Sequence, residues 1–388
     1  MRKRPTVIGI CSGAGGLDIG LEAAGFRVAL AVERDSVCCE TLRFNHNWPV
    51  LEKDLAEVAP GQILKAAKLR KRQVDLISAG PPCQPFSKSA NWTSSGLKRL
   101  KDPRASALHT LMEIVGHVLP RCVFIENVDG FRRGGLRFLL RKFRHINEIF
   151  GTNYRPVWTI LNAADYGVPQ LRRRFFLVAF RDGRDFTFPE PTHAGDHITC
   201  WDAIGSLAVK QRKDLALKGR WAGLLPSIPE GKNYLWHTNR GGGTRLFGWR
   251  TKYWSFLLKL AKDQPAWTIP ARPAQNAGPF HWRNRQLRTR EMLRLQTIPT
   301  DIFLAGTRAD RQRQIGNAVP SLLAEVIGRA IFAALNGKEI STQPCKLAIS
   351  RRTTLAKPER ISSPSRRYLH MIGRHRDHPG TGLGPAAR

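Results

Sequence analysis

Apolar runs of strand length alternate with helix-length stretches through the first half of the chain. Residues 7–11 form one such run, and a Gly-rich turn follows it. Residues 17–24 then carry apolar side chains at helical spacing, and Gly25 stands where a helix end favours a left-handed residue. Residues 27–32 predict a second strand. Residues 74–78, 122–125 and 175–180 predict further buried strands, with helices near 106–118 and 134–149 between them. Near-continuous apolar strands alternating with helices predict an open α/β fold: a Rossmann-like, mostly parallel sheet with helices on both faces. The pattern fades near Pro189 and Pro191. Between 191 and 289 Gly and Pro are frequent, and seven of the ten tryptophans fall there (Trp201, Trp221, Trp236, Trp249, Trp254, Trp267 and Trp282). A smaller β-rich domain is expected, with most of these rings in its core. Helical patterning returns over 290–295 and 320–335. Beyond Ser341 large apolar residues are few and Arg, Ser, Pro and Gly are common, which predicts a disordered tail.

Charge narrows the class of partner. The 388 residues include 63 Lys and Arg against 30 Asp and Glu, a net charge of +33. An excess of that size points to a polyanion, and nucleic acid is the usual one. A membrane surface ranks lower, because no basic amphipathic segment dominates and no apolar run approaches spanning length. The window 191–289 holds sixteen Lys and Arg against five Asp and Glu, interleaved with aromatics as on a nucleic-acid face. The basic start, Met-Arg-Lys-Arg, mimics a signal peptide, but Gly13, Gly15, Gly16 and Asp18 interrupt the apolar stretch behind it. Seven cysteines, an odd number without any Cys-x-x-Cys, indicate neither a disulfide framework nor a zinc site, so a reducing, cytoplasmic setting and no metal are expected.

Four segments carry candidate chemistry. Ser12-Gly13-Ala14-Gly15-Gly16 lies between a strand and a helix, and Glu33 ends the next strand. Small residues let a cofactor approach the backbone, and the acid is spaced to meet ribose hydroxyls. That pattern alone does not separate a dinucleotide from S-adenosylmethionine. Ser78-Ala79-Gly80-Pro81-Pro82-Cys83-Gln84 follows a buried strand and delivers a stiffly held thiol to the strand's carboxyl end, where open α/β sheets bind ligands. Polar residues 91–102 behind it suit a mobile lid. Glu126, in Phe124-Ile125-Glu126-Asn127-Val128, reaches the same edge, where an apolar pocket raises a carboxyl pKa so that it can hold a proton. Asn127 there can be a simple turn or cap residue. In Gln170-Leu171-Arg172-Arg173-Arg174, strand alternation puts Arg172 and Arg174 on one face, suited to a phosphate or carbonyl oxygen.

In this order, together with Arg290-Glu291, Arg294-Leu295-Gln296 and Gln314-Ile315-Gly316-Asn317-Ala318-Val319, these segments resemble the DNA (cytosine-5) methyltransferases of bacterial restriction–modification systems. The resemblance implies a catalytic and cofactor-binding domain over 1–188 and a target recognition domain over 189–288. It further implies a return segment over 289–340, ahead of a basic tail over 341–388. It implies S-adenosyl-L-methionine as cofactor, held by Cys11, Ser12, Gly13, Gly15, Gly16, Leu17, Glu33, Arg34, Asp54, Leu55, Pro82, Asn317 and Val319. It implies Cys83 as nucleophile on carbon 6 of a flipped cytosine in duplex DNA, with Gln84, Glu126, Arg172 and Arg174 beside the base. A monomer is expected, acting on the nucleoid, with a cognate endonuclease cutting the same site and needing no contact with this chain. Gly9-Ile10-Cys11 replaces the family's usual Asp-Leu-Phe, so the aromatic that packs on the cofactor is absent, and Arg34 stands where an apolar residue often meets the adenine. The rival readings are an RNA cytosine methyltransferase, whose Cys-Phe-Thr tripeptide is missing here, and a catalytically dead DNA-binding homologue, against which the intact Cys83, Glu126, Arg172 and Arg174 argue. The tail lies beyond the last family element, so its removal is expected to leave turnover and sequence preference unchanged.

Overall fold

The computed structural model describes residues 4–82, 106–207, 213–249 and 252–374. The first half runs β1 (Thr6–Ile10), α1 (Gly16–Ala23), β2 (Arg27–Glu33), α2 (Ser36–Asn45), β3 (Val50–Glu52), α3 (Pro60–Ala67), β4 (Leu76–Ala79), α4 (Ser106–Val118), β5 (Cys122–Val128), α5 (Gly135–Phe150), β6 (Val157–Asn162), β7 (Gln170–Leu171) and β8 (Arg173–Phe180). Seven strands form one sheet in the order β3-β2-β1-β4-β5-β8-β6. All neighbours pair in parallel except β8, which is antiparallel to both β5 and β6.

Both sheet faces are covered, as the apolar strands require. Val7, Leu76, Phe124 and Phe176 face α1 and the last long helix. Ile8, Ile77, Val123 and Ile125 face α3, α4 and α5. The sheet matches the five predicted strands and adds the short β3 at one edge and β6 at the other. Strand β6 escaped notice because it lies at the sheet edge, where Val157 and Trp158 are partly exposed and break the buried pattern.

The chain then leaves the sheet for the aromatic-rich region and returns. After α6 (Cys200–Ile204), β9 (Ala266–Trp267) pairs in parallel with β7. Among the described residues of 189–288, β9 and isolated bridges are the only β-structure, so the region is not the β-rich domain expected. With no alternating pattern, its order comes instead from an aromatic cluster of Tyr234, Phe247, Phe256 and Phe280 under 3-10 turns. Trp282 and Trp249 are buried as expected of core rings, whereas Trp254 is 53 % exposed.

Next come α7 (Thr289–Leu295), α8 (Arg308–Asn317) and α9 (Ser321–Asn336). The very polar α8 lacks a helical apolar stripe. It is set locally by Thr307, whose hydroxyl caps the Asp310 amide while the Asp310 carboxylate accepts from Thr307 N–H. α9 lies on α1 at close range. A Cβ on Gly20 would come within 2.4 Å of the Ala324 Cβ and 2.3 Å of the Ser321 carbonyl, so no side chain fits there. Arg308–Asn336 together have the length and apolar content of a membrane span, a stretch the sequence reading passed over, but the apolar part is mostly buried inside the protein.

The tail departs from expectation. Residues 341–374 are packed on the protein and include α10 (Arg366–Leu369), with Ile349 and Tyr368 buried. Ile349 and Tyr368 are buried against distant parts of the chain while Leu355, Ile361, Leu369 and Ile372 stay exposed, a pairing that local composition does not reveal.

At the start of the return segment Arg285 and Glu291 form a fully buried, two-pronged ion pair at 2.8 and 2.6 Å. Exposed pairs such as Arg351–Asp196 are worth at most about 1 kcal/mol, whereas stranding one partner of a buried pair costs about 3–5 kcal/mol. Glu291→Ala is therefore expected to destabilise the protein by about 3 kcal/mol or more, read from urea unfolding. A loss under about 1 kcal/mol would show the guanidinium finding other partners.

Candidate active site

The register of the sheet assembles one edge. Ile10, Ala79 and Ile125 lie abreast on β1, β4 and β5, so the next residues, Cys11, Gly80 and Glu126, share the carboxyl end. Gly80 N–H donates to the Ile10 carbonyl at 3.2 Å. A Cβ on Gly80 would sit 3.7 Å from Glu126 Oε2 and 3.9 Å from the Cys11 carbonyl. β1 lies between β2 and β4, so this is the point where strand order reverses and open α/β sheets place ligands.

The Gly-rich turn forms one side of the edge. Cys11 and Gly13 adopt positive φ (57° and 55°), and Gly15 caps α1 at φ 82°. A Cβ on Gly13 would meet nothing within 4 Å, so the turn's backbone faces open space. Glu33 braces the turn: its carboxylate accepts from the N–H groups of Gly13, Arg34 and Asp35 at 2.8–2.9 Å. Arg34 reaches outward to Asp54 at 2.9 Å, and Asp54 caps the short turn beginning at buried Leu55. Ser12 N–H donates to the Val32 carbonyl, and Leu17 is buried in the first turn of α1. Burial pushes the Cys11 thiol up to about 12, so it stays protonated and is no nucleophile.

Glu126 occupies the other side. Its carboxylate is nearly buried, 3.1 Å from Arg174 Nε. Arg174 pairs with Val128 across the antiparallel β5–β8 ladder, two positions from Glu126, which is diagonal reach. Burial raises the Glu126 pKa, against the pull of the Arg174 and Arg172 charges. Asn127 proves more than a turn residue: its amide donates to the Pro81 carbonyl at 3.1 Å and ties β5 to the start of the Pro-Pro-Cys loop. Pro82 is described and partly exposed at this edge, while Cys83, Gln84 and the expected lid lie outside the described residues.

Arg172 needs a correction. It falls in the break between β7 and β8, not within a strand. The facing predicted for the three arginines still holds: Arg172 is buried and Arg173 exposed, while Arg174 is shielded beside Glu126. Arg172 Nη2 donates to the carbonyls of Gly316 and Ala318 at 2.9 and 3.0 Å, so the side chain pins the return segment to the site. That pin leaves Asn317 exposed beside the edge and seats Val319 over Gly16, where a Cβ would lie 2.6 Å from the Val319 carbonyl. Gly316 also touches the recognition region, with its Cβ position 2.4 Å from Ala271 Cα. Beyond that crossing a cleft of about 920 Å³ opens between α8 and the recognition region, lined in part by Lys218, Arg272, Gln275, Asn276, Arg308 and Gln312.

The sequence reading overlooked Asp18. It is buried beneath the Gly-rich turn and accepts from Ser78 Oγ at 3.4 Å, beside Ser12. Gly9 makes room for it, since a Cβ there would lie 2.3 Å from Asp18 Oδ1. An acid in the first turn after a Gly-rich loop was the available signal. Burial pushes its carboxyl up to about 7 from 3.8, against the pull of the Ser12 and Ser78 hydroxyls. A raised pKa means the folded state favours the protonated form. That contribution is complete below 3.8 and lost as pH rises through about 7. We expect the wild type to lose on the order of 3 kcal/mol across this window from Asp18. Asp18→Asn should flatten the profile of urea midpoints between about pH 4 and 7, and equal slopes in the two proteins there would refute the assignment.

This arrangement can be set beside known proteins. The C-5 cytosine-specific DNA methylase family matches residues 6–333. The Type II methyltransferase M.SacI of Streptomyces achromogenes is 36 % identical over 373 residues, covering 86 % of this chain and 94 % of its own. M1.HphI of Haemophilus parahaemolyticus is 31 % identical over 349 residues, covering 84 % and 86 %. Among solved structures, the Entamoeba histolytica methyltransferase EhMeth superposes with a TM-score of 0.61 at 18 % identity, over 86 % of this chain and 99 % of its own. A Spodoptera frugiperda DNMT2 mutant gives 0.60 at 16 %, over 84 % and 99 %, and both likenesses speak to fold alone. With a family match spanning the sheet, the Glu126 edge and the return helices, the chain belongs to the C-5 cytosine-specific DNA methylases and is a DNA cytosine-5 methyltransferase.

Proposed function

We propose that this enzyme is the modification methyltransferase of a Type II restriction–modification system, as its relatives M.SacI and M1.HphI are named, and that it uses S-adenosyl-L-methionine and Cys83. The observation that carries the site assignment is the Glu126–Arg174 pair against Gly80, with Asn127 gripping Pro81 two residues before Cys83. The Gly-rich turn fits the cofactor: its Gly13 backbone is open, the Glu33 carboxylate is oriented beside it, and Asp54 lies beyond Arg34. Asn317 and Val319 close the same side. S-Adenosyl-L-methionine, when bound there, supplies an electrophilic methyl group.

The chain's own residues make cytosine reactive. Carbon 5 of cytosine is a weak nucleophile. Cys83 thiolate adds to carbon 6, and the displaced ring electrons reach N3, where Glu126 delivers its proton. The elevated pKa of Glu126 suits it to hold that proton near neutral pH. Arg174 and Gln84 hold the base. Arg172 biases Glu126 through its charge and keeps the return segment in place. Carbon 5, now enamine-like, takes the methyl group as N3 returns its proton to Glu126. A solvent base then removes the carbon 5 proton, the bond to carbon 6 breaks, and Cys83 leaves as thiolate with the ring restored. The reacting atoms are hidden within a duplex, so the cytosine must be flipped out. We assign the reading of neighbouring bases to the recognition region, across the basic cleft, acting as a monomer in the cytoplasm on nucleoid DNA. A cognate endonuclease need not touch this chain.

Cys83→Ser should lower turnover by at least about a thousandfold while leaving DNA and cofactor binding intact, because a hydroxyl is a far weaker nucleophile at neutral pH. The wild type should form a covalent adduct on target duplexes containing 5-fluorocytosine, where fluorine blocks the last elimination. No adduct on DNA bearing the correct site would disprove the role of Cys83. Labelled methyl transfer to duplex DNA and not to tRNA is expected, and the reverse result would favour the RNA reading.

Specificity can be tested by exchange. Replacing residues 191–285, together with 351–374, which contact them, by those of a related enzyme should transfer its target sequence. An active chimera still methylating the original sites would place base reading elsewhere.

A further inference from the structure

The tail beyond the family match is the largest part of the molecule that the catalytic reading leaves without a role. It begins on α9, where Lys346 and Leu347 donate backbone N–H groups to the fully buried Glu325 carboxylate at 2.8 and 2.9 Å. It then crosses to the recognition region. Arg352 N–H donates to Asp202 at 2.8 Å. Lys262, 3 % exposed, is held between Glu230 and Glu359, both at 3.0 Å, and also donates to the Lys357 carbonyl. The crossing ends at Tyr368, 2 % exposed, whose ring stacks on Trp221 at 6.0 Å and whose hydroxyl donates to the Arg220 carbonyl at 2.8 Å.

That last contact lies behind the basic cleft. Tyr368 and Phe280 belong to one aromatic cluster, and Phe280 lines the cleft. Arg220 follows directly on Lys218 and Gly219, which form the cleft's rim. The wall facing α8 has no named strand ladder among the described residues; backbone bonds such as Leu257 N–H to the Asn276 carbonyl and Phe280 N–H to the Leu258 carbonyl tie 255–260 to 276–280, and side-chain packing holds the rest. One ring of that packing comes from the tail.

We infer that residues 341–369 are a strap that fixes the recognition-side wall of the cleft, with Tyr368 as a positioning residue for duplex DNA and hence for target choice. This rests on the reading of the cleft as the DNA-facing surface. A tail that merely added positive charge would strengthen binding to every sequence alike, because phosphate contacts carry no sequence information. A wall-fixing strap alters which sequences are accepted.

The experiment compares Tyr368→Ala and Tyr368→Phe in the full chain with a chain stopped after Ser350, which keeps the anchor on α9. A chain stopped after Arg374 serves as control. Tyr368→Ala leaves the net charge unchanged. It should raise KM for target duplex by about tenfold and spread methylation to near-target sites. The KM for S-adenosyl-L-methionine and kcat at saturating DNA should stay within about twofold. Tyr368→Phe should fall between it and the wild type, and the Arg374 stop should behave as wild type. The Ser350 stop should match or exceed Tyr368→Ala, and if it fails to fold, Tyr368→Ala decides. Hydrogen exchange over residues 214–228 is read in parallel and should quicken in Tyr368→Ala. Unchanged exchange would overturn the strap itself. Quickened exchange with unchanged KM for DNA and an unchanged site map would overturn the cleft as the DNA-reading surface.

Discussion

The closeness of α9 to α1 is the constraint on which the rest of the structure depends. Gly16 and Gly20 present bare backbone to the return segment, and Ser321 Oγ donates to the Gly16 carbonyl at 2.9 Å. Interiors pack without slack, so one methyl group at Gly20 would push the two helices apart. The Gly-rich turn proposed to hold the cofactor runs directly into Gly16. Displacing α9 would therefore also displace Val319 from the cofactor side and the Gly316–Ala318 carbonyls from Arg172.

Polar bonds give this contact its uniqueness. Apolar packing of α9 tolerates small slips, but buried donors and acceptors do not, because each lost bond leaves a costly unsatisfied group. Arg172 spans the break between β7 and β8 to reach the return segment. Gln170 donates to the Leu295 carbonyl, and Gln296 to that of Ile315. These side chains come from two distant parts of the chain and converge around the Gly316 crossing, where the recognition region also arrives. The site edge and the cleft are thus built on one shared set of bonds.

The electrostatics divide the same way. The chain is strongly basic overall, yet the carboxyl edge of the sheet gathers Asp18, Glu33, Asp54 and Glu126. A polyanion is drawn to the protein as a whole, while the acidic edge suits a cationic cofactor and a proton-bearing carboxyl. Glu126 stands where the two regimes meet, burial favouring its proton and the arginines opposing it.

What the sequence determined by itself is local and periodic. Apolar runs fitted for burial on both faces could only become the strands of a covered sheet, and polar groups directly behind them could only land at its carboxyl edge; Glu33 and Glu126 were legible for that reason. The tertiary structure alone decided what depends on distant partners. α8 is too polar to show a helical stripe, and nothing local to Arg172 shows that its Nη2 reaches the Gly316 and Ala318 carbonyls. Asp18 read only as a break in an apolar stretch, and the structure encloses it between Gly9 and Ser78. The tail has the composition of a disordered segment because its order is borrowed: Tyr368 and Glu359 meet Trp221 and Lys262 from more than ninety positions away, and such pairings leave no periodicity in either segment.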